Sequence, residues 1–537
     1  MPKIDLDTAM RAPENIGLDF ETTGLNWLVE KPLYLGIAND SFSGYINIQE
    51  YSQETLCEFF KDFVKTHRVV LQNAKFDFHF LDKYIPINTL KDITFSDTML
   101  LSQIIDENKS HGLDSITELW LGAENLVNKR RVDSFIVDNK IKRGESWRRI
   151  PEELLAARGE EDARNTYILH GILRPKAEQE VYRLEKKLLL VLLRMERTGA
   201  LMDRQYLLEL KEKIEVMIKS IADKYLGINL GSSNQRAEYL FKTLNLKPIS
   251  FTPKKQQPKT DKESLALLDH PAAKDMMEYL NLSHTLATYV DGFLEKMDAN
   301  DRLHCNFKQM GARTGRMSCV NPNLQQLPKV GRDGKWIKSA FIGNITTYDY
   351  EQMEAVLYAY DNKEERMIRM IENNIDLYQG LAALLYSVPI PSVTKDQRSL
   401  CKTIFLGRIY GMGDKKFKIM SNGLDPAPTR SFFGKLKQMQ NDIEDQIRKR
   451  GYIKTLSGRK RHLTLDDAYK GLNSKIQGSA ADIVKMVMVN LPFAIQDKMI
   501  TQVHDELVFA GLEPKEEKIV EEVMCDFRPY KLKVSHG

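Results

Sequence analysis

Among the residues able to do chemistry, two acidic tips stand out. Thr501-Gln502-Val503-His504-Asp505-Glu506-Leu507-Val508-Phe509 sets apolar residues on both sides of a His-Asp-Glu centre, the pattern of a β-hairpin with carboxylates at its turn. Thr346-Thr347-Tyr348-Asp349-Tyr350-Glu351-Gln352-Met353-Glu354 brings a second short β-prone run to an aspartate. Read alone, such a tip is equally well a solvated turn. If Asp349 and Asp505 meet, they offer hard oxygen ligands of the kind that suits Mg²⁺.

The N-terminal third repeats the theme. In Asn15-Ile16-Gly17-Leu18-Asp19-Phe20-Glu21-Thr22-Thr23-Gly24, Asp19 and Glu21 are two apart and share one face of a strand. Carboxylates so paired repel unless protons or cations intervene. Asp77 follows the run Val69-Val70-Leu71-Gln72-Asn73, and Asp162 lies in Glu160-Glu161-Asp162-Ala163-Arg164-Asn165-Thr166, read as the opening of a helix. Four acids from separate elements could hold two metal ions about 3.5–4 Å apart, the spacing that serves phosphodiester hydrolysis.

A third group is cationic. Thr394-Lys395-Asp396-Gln397 is a capping-box signature, and it predicts a helix running to Tyr410 and stopping at Gly411. Arg398, Lys402, Leu406 and Tyr410 recur every fourth residue and form one stripe. Two cations a turn apart repel unless something polyanionic lies across them. A triphosphate would do so, with its base towards the tyrosine; a solvated basic stripe is the plain alternative.

The elements that must position these groups can be read more coarsely. Glu178 to Arg197 is helical in composition, and Gly199 ends that helix. Residues 203 to about 300 read as mostly helical and Lys-rich; Ser232-Ser233-Asn234-Gln235 has capping-box form, and 250–262 is a Pro/Lys-rich loop. Gln309 to Ser318 and Asn321 to Pro328 are rich in turn formers and planar donors, suited to close approach to a sugar-phosphate backbone. With 537 residues, 42% hydrophobic and 28% charged, the chain is globular and should hold several domains. The net charge of +4 says little, but Arg448-Lys449-Arg450, Lys454 and Arg459-Lys460-Arg461 crowd together, as do Lys254-Lys255, Lys259 and Lys262. Such clusters can neutralise phosphates. Five cysteines without a CxxC pair point to a reducing compartment without a disulfide framework. The longest aliphatic run, Leu188 to Leu193, is far too short to span a bilayer, and the N-terminus lacks a signal-peptide core. A soluble cytoplasmic protein without membrane association is expected.

The N-terminal acids resemble the DEDD 3′–5′ exonuclease family: Asp19 and Glu21 match its first motif, Asn73 and Asp77 its second, and Asp162 its third. Asp97-Thr98-Met99-Leu100-Leu101 and His111-Gly112-Leu113 look like segments between them. One departure is plain: that family places a Tyr four residues, or a His five residues, before the last Asp, and this chain has Arg158 and Ala157 there. The resemblance therefore implies metal binding with weakened hydrolysis.

The remainder resembles family A DNA polymerases of the DNA polymerase I, Klenow-type group. Asp349-Tyr350-Glu351-Gln352-Met353-Glu354 matches motif A, Arg398…Lys402…Tyr410-Gly411 motif B, and His504-Asp505-Glu506 motif C. Thr314-Gly315-Arg316 with Asn323-Leu324-Gln325 matches the primer-strand segment, and Gly451 to Thr455 and Asn473…Gln477-Gly478 match palm and template contacts. The match runs in order from Asp19 to Phe509.

The resemblance implies an α/β multidomain fold. An RNase H-like 3′–5′ exonuclease domain (1–178) would precede a right-hand polymerase (179–537), with thumb about 203–300, palm about 301–362 and 451–537, and fingers about 363–450. It implies two Mg²⁺ per active site, replaceable by Mn²⁺, held by Asp349, Tyr350 and Asp505 in the palm and by Asp19, Glu21, Asp77 and Asp162 in the exonuclease. Glu506 and Lys402 join the catalytic set. Arg398, Lys402, Leu406, Tyr410, Gln352, Glu354 and His504 would bind the dNTP, with Glu354 against the sugar excluding a 2′-hydroxyl. Arg313, Arg316, Asn323, Gln325, Asn473 and Gln477 would bind primer-template DNA. A monomer is expected, with any replisome or processivity partner unnamed. Asp19 lies so near the start that no 5′-nuclease domain is expected ahead of it. That compactness suggests a phage-like form acting in replication in a host cytoplasm.

Leu406 replaces an aromatic usual on the stripe, Tyr378 a His, Val356 an Arg, Glu351 a small polar residue and Tyr469 an Arg, which bears on sugar discrimination, fidelity and rate. Three other readings compete. A single-subunit RNA polymerase is opposed by Glu354 and the exonuclease motifs. A nuclease that merely clamps DNA is opposed by the palm aspartates and Lys402. A non-enzymatic DNA scaffold is opposed by the number of placed functional groups.

Overall fold

The computed structural model describes residues 2–86, 89, 93–142, 147–253, 256–328 and 331–537. Lys254-Lys255, one of the basic pairs singled out above, lies outside them.

The N-terminal unit is built on five strands, β1 (Asn15–Thr22), β2 (Pro32–Ala38), β3 (Ser43–Asn47), β4 (Arg68–Leu71) and β5 (Phe95–Asp97), in the order β3-β2-β1-β4-β5. The β1–β2 and β2–β3 pairs are antiparallel, and β1–β4 and β4–β5 parallel. Strand alternation decides the faces. Ile16, Leu18 and Phe20 enter an apolar core with Phe59, Phe60 and Phe63 of α1 (Gln53–Thr66), and the Phe20 and Phe60 rings are 5.8 Å apart. Gly17, Asp19 and Glu21 take the other face, which the later helix α4 covers. Helices α2 (Ala74–Leu81) and α3 (Thr98–Ile105) follow β4 and β5.

The helix bearing Asp162 does not open at Glu160 as the sequence suggested. It is α4 (Glu152–Leu173), and Pro151 precedes its first residue. Pro151 lacks an N–H and fixes its φ, so it sets the boundary about two turns earlier than the acidic run does. α4 lies unusually close to the sheet: a Cβ added at Gly17 would come within 2.1 Å of the Ala163 carbonyl oxygen, and one at Gly36 within 2.2 Å of that of Gly159.

α5 (Gln179–Thr198) joins the halves and ends at Gly199, whose φ of 59° favours glycine. It belongs to both cores: Val181, Tyr182, Leu189 and Leu193 pack into the N-terminal unit, and Leu188, Val191, Leu192 and Met195 into the C-terminal one. Helices α6 (Arg204–Ala222) and α7 (Pro271–Thr285) dominate the stretch read as Lys-rich and helical. Ser232 caps its helix as expected, but the capping box is incomplete, because the Gln235 side chain accepts from the Asn229 N–H, 2.6 Å away, instead of reaching back to the cap.

The C-terminal unit carries a second sheet: β6 (Ile345–Tyr350), β7 (Met499–Val503), β8 (Glu506–Ala510) and β9 (Val534–His536), in the order β7-β8-β6-β9 with every pair antiparallel. Around it stand α8 (Met353–Asp361), α9 (Leu377–Tyr386), α10 (Lys395–Ile409), α11 (Leu436–Arg450) and the long, largely buried α12 (Gly471–Asn490). α10 has the full Thr394–Gln397 capping box, and Gly411 follows with φ 92°. Among the described residues no helix is long and apolar enough to cross a membrane.

The basic cluster of 448–461 is largely used inside the protein. Lys454 and Lys460 pair with Glu178, Arg461 with Glu107, and the buried Arg459 with Glu185 and Asp482. Of the residues read as phosphate-neutralising, these four hold the two units together instead. Local sequence showed the charges but not the acids that fold back onto them.

Candidate active sites

The hairpin forms as the pattern predicted. β7 and β8 pair from Gln502↔Leu507 to Val503↔Glu506, and His504 takes a left-handed φ of 60° at the turn. β6 pairs with the outer side of β8 with Tyr348 opposite Leu507 and Asp349 opposite Glu506. Asp349 is therefore one register step from Asp505, and both lie towards solvent at the sheet end while Tyr348 and Leu507 are fully buried. Tyr350 turns its side chain inward, its hydroxyl donating to the Met524 carbonyl at 2.6 Å, so only its backbone oxygen is left for a ligand.

The hairpin is braced from behind. Gln325, expected on DNA, is buried and donates its amide to the Gln502 carbonyl at 3.1 Å, and Gln502 in turn donates to the His504 carbonyl. Asn323 caps the short helix that carries Gln325. Arg313 is exposed; Asn473 and Gln477 lie half-buried on α12. The Asn473 Oδ1 atom is buried without a hydrogen-bond partner.

α10 presents its stripe as predicted, with Lys402 exposed and Arg398, Leu406 and Tyr410 half-buried. Arg398 Nη2 is 2.6 Å from the carboxylate of Asp376, the N-cap of α9. Sequence reasoning missed Asp376; its signal was only a capping aspartate two residues before Tyr378. The Tyr378 ring is buried edge-on against Phe405, centroids 5.4 Å apart, with the Arg398 guanidinium 5.6 Å from its centroid.

Glu354, in the first turn of α8, ties the site together. It accepts from the Tyr410 hydroxyl on one oxygen and from Arg316 Nη2 on the other, at 2.5 Å. Burial pushes its carboxyl above the usual range, with Asp505 adding to the shift and Arg316 opposing it. Gln352 takes a left-handed φ of 54° at the start of α8, and its side-chain oxygen accepts from the Leu377 N–H at 2.8 Å, joining α8 to α9. Of the other departures, Val356 is buried and Glu351 and Tyr469 are exposed.

In the N-terminal unit Asp19, Glu21 and Asp162 converge, with ligand atoms all within 4.8 Å of one another. Asp77 stands beside them and accepts from the Phe20 N–H at 3.3 Å. Asp97 positions it: this buried carboxylate accepts from the N–H groups of Asn73, Ala74, Met99 and Leu100, pinning the start of α2 to the start of α3. Burial raises Asp19, Glu21 and Asp162 each to about 7. Neighbouring carboxylates add to the shift and Arg158 opposes it in all three. Asp77 is raised by burial and then by Asp19. Glu21 Oε1 and Asp162 Oδ1 are buried without a hydrogen-bond partner. Buried carboxylates that repel and lack donors fit a divalent cation of the hard, oxygen-liganded kind.

Arg158 is inside this cluster. Its Nε lies 3.3 Å from Asp162 Oδ2 and 3.5 Å from Glu21 Oε1, and its guanidinium stacks 4.6 Å from the Trp147 ring centroid. Sequence reasoning noted Arg158 as a replacement but not as a cation in contact with the acids. Its place four residues before Asp162 on a helix was the available signal. A second acidic group that sequence reasoning missed, Asp106, Glu107 and His462, joins the two units, with Arg461 on Glu107 at 2.7 Å.

Known proteins share the two-part organisation of the chain. The DNA polymerase family A model matches residues 202–536, and the 3′–5′ exonuclease model matches residues 5–178. DNA polymerase I of Borreliella burgdorferi is 28% identical over 557 residues, spanning 94% of this chain and 59% of that protein. DNA polymerase I of Pseudomonas aeruginosa is 30% identical over 500 residues, spanning 85% and 53%. The chain thus spans little more than half the length of these relatives. A solved polymerase domain of Pol1 from M. smegmatis, in complex with DNA primer-template and dNTP, superposes with a TM-score of 0.79 at 24% identity, covering 99% of this chain and 96% of that one, and so shares its fold. Asp349, Asp505 and the cationic helix all fall inside the larger match, and the chain belongs to DNA polymerase family A, with a 3′–5′ exonuclease domain ahead of its polymerase domain.

Proposed function

We propose that the chain is a template-directed DNA polymerase that adds dNTPs to a primer 3′-hydroxyl, coupled to a weakened 3′–5′ exonuclease. The observation that carries this reading is the bridge from Arg316 through Glu354 to Tyr410, which ties the start of α8, just beyond the strand bearing Asp349, to the end of the cationic stripe of α10. On this reading 1–178 is the exonuclease domain, 203–300 the thumb, 301–362 with 451–537 the palm, and 363–450 the fingers.

The donors at Asp349, Asp505 and the Tyr350 carbonyl are hard oxygens, and they would hold Mg²⁺ or Mn²⁺, two ions per site. When bound, such ions activate the attacking hydroxyl and neutralise the leaving pyrophosphate. The remaining work falls to the chain's own side chains. Lys402 and Arg398 place fixed positive charge along the triphosphate, Arg398 being aimed by Asp376. Glu354 stands against the sugar and excludes a 2′-hydroxyl. Arg316 and Gln477 read the minor-groove side of the new pair. Gln325 does not need to touch DNA to matter, since it braces Gln502 and through it the His504 turn.

Primer extension with dNTPs or rNTPs, with and without Mg²⁺, tests the proposal. Extension with dNTPs that requires Mg²⁺, and that falls by ~10²–10³ or more in Asp349→Ala and Asp505→Ala, is expected. Near wild-type extension in either variant would overturn the palm assignment. For the exonuclease, slow metal-dependent loss of single-stranded DNA from its 3′ end, abolished in Asp19→Ala/Glu21→Ala, is the expected result.

A further inference from the structure

Arg158 stands where a second cation belongs. Four carboxylates, Asp19, Glu21, Asp77 and Asp162, crowd one buried site, and a guanidinium already occupies part of it, 3.3 Å from one and 3.5 Å from another. We propose that Arg158 does the charge work of one divalent cation, so that this cluster takes a single metal ion instead of two. The inference rests on the exonuclease reading above and goes beyond it.

Three features make the guanidinium a fixture. An arginine does not give up its proton in a protein, so its charge is permanent. Its side chain is 17% exposed and lies over the Trp147 ring, 4.6 Å from the centroid, a cation–π contact that helps to hold it. Its backbone is one helical turn before Asp162 on α4, and α4 is pressed onto the sheet at Gly17 and Gly36, so backbone and target cannot drift apart. A divalent ion bridging Glu21 and Asp162 would have to share their oxygens with this group, and two like charges at such range repel strongly in a buried site.

The site is still short of positive charge. Arg158 contributes one charge against four carboxylates, and Glu21 Oε1 and Asp162 Oδ1 remain buried without a hydrogen-bond donor. One divalent ion held among Asp19, Glu21 and Asp162 would meet that need. A second would be left with Asp19 and Asp77, because the guanidinium already lies against Glu21 and Asp162.

The test counts Mn²⁺ bound to the full chain carrying Asp349→Ala and Asp505→Ala, so that the palm does not contribute. Equilibrium dialysis gives the number and electron paramagnetic resonance shows whether two ions are exchange-coupled. Binding that survives in a further Asp19→Ala/Glu21→Ala variant is subtracted as belonging elsewhere. With Arg158 intact, one ion without a coupled signal is expected. Arg158→Gln should take two with a coupled signal, and Arg158→Lys, which keeps the charge, should stay nearer one. A melting curve close to the parent's confirms that each variant is folded. Two coupled ions with Arg158 in place, or one ion with and without it, overturns the inference and leaves the exonuclease reading standing. No ion at this cluster in any variant overturns both.

Discussion

At the scale of single residues, the sugar side of the nucleotide site has the clearest consequences. Glu354 holds Tyr410 and Arg316 at once, so under the proposed function it would be a gate as well as a strut. Glu354→Ala removes the carboxylate that would clash with a 2′-hydroxyl and frees both partners. We expect the ratio of rNTP to dNTP incorporation to rise ~10-fold or more, about 1.4 kcal/mol or more of lost discrimination, with slower dNTP addition. An unchanged ratio in single-nucleotide kinetics would move the gate to another residue. Leu406 lies on the same stripe, half-buried and without the flat face of an aromatic ring. Leu406→Tyr is expected to raise dideoxynucleotide use relative to dNTP, read from competition at one template position; equal ratios in the two proteins would remove Leu406 from the sugar site.

At the scale of elements, the exonuclease depends on how closely α4 approaches the sheet. Gly36 and Gly17 have no room for a methyl group beneath the carbonyls of α4. Gly36→Ala should push α4 outward, costing ~1–3 kcal/mol. Asp162 and Arg158 would move with it, so degradation of single-stranded DNA and Mn²⁺ affinity should fall while primer extension persists. Loss of both activities together would mean that the displaced helix unsettles the whole chain. α5 is the element through which that could happen. Its buried Glu185 meets Lys485 at 2.6 Å, Arg459 and Gln309 of the polymerase unit, while its Glu196 meets His79 at 2.7 Å and Lys75 on α2, the helix that carries Asp77. Removing one member of such a buried set strands its partners, so Glu185→Ala should cost ~3–5 kcal/mol in denaturant unfolding.

At the scale of the whole molecule, the buried charges set a pH dependence. In the metal-free protein Asp19, Glu21 and Asp162 are raised to about 7 and Asp97 to about 6, burial being the first cause in each. The folded chain thus holds protons that the unfolded chain has released, and stability falls as pH rises from the ordinary carboxyl range through about 7. Glu107, Glu185 and Glu196 act in the opposite sense. Burial would raise them, but His462 and Arg461, Lys485 and Arg459, and Lys75 and His79 outweigh it. Their stabilisation is present above the ordinary glutamate range and is lost as pH falls through their lowered values. His79, pushed to about 4 by burial, also withdraws support as pH falls below 6.5. Melting temperatures in EDTA should therefore peak in mildly acidic buffer, near pH ~5–6, and decline towards pH ~8. Mg²⁺ or Mn²⁺ should restore the loss at pH ~8, since the ion replaces the protons on the carboxylates. A metal-free curve that rises steadily across that range would contradict the raised carboxyls.

Much of the site could be read from the chain because its signals are local. A carboxylate at the tip of an apolar alternation, two acids two apart on a strand, and cations four apart behind a capping box each follow from backbone periodicity within a few residues. These features therefore appeared where the pattern put them. What the folded chain alone decided are contacts between residues far apart in sequence. Asp349 meets the turn at Asp505 through a sheet register between strands far apart in the chain. Gln325 became a brace because Gln502 folds beside it, and the lysines and arginines of 454–461 were taken up by Glu107, Glu178 and Glu185 from distant parts of the chain. Arg158 came to stand among the N-terminal carboxylates because two glycines let its helix settle onto the sheet beside Glu21. Periodicity specifies which face a side chain takes; only close packing in three dimensions specifies which partner it meets there.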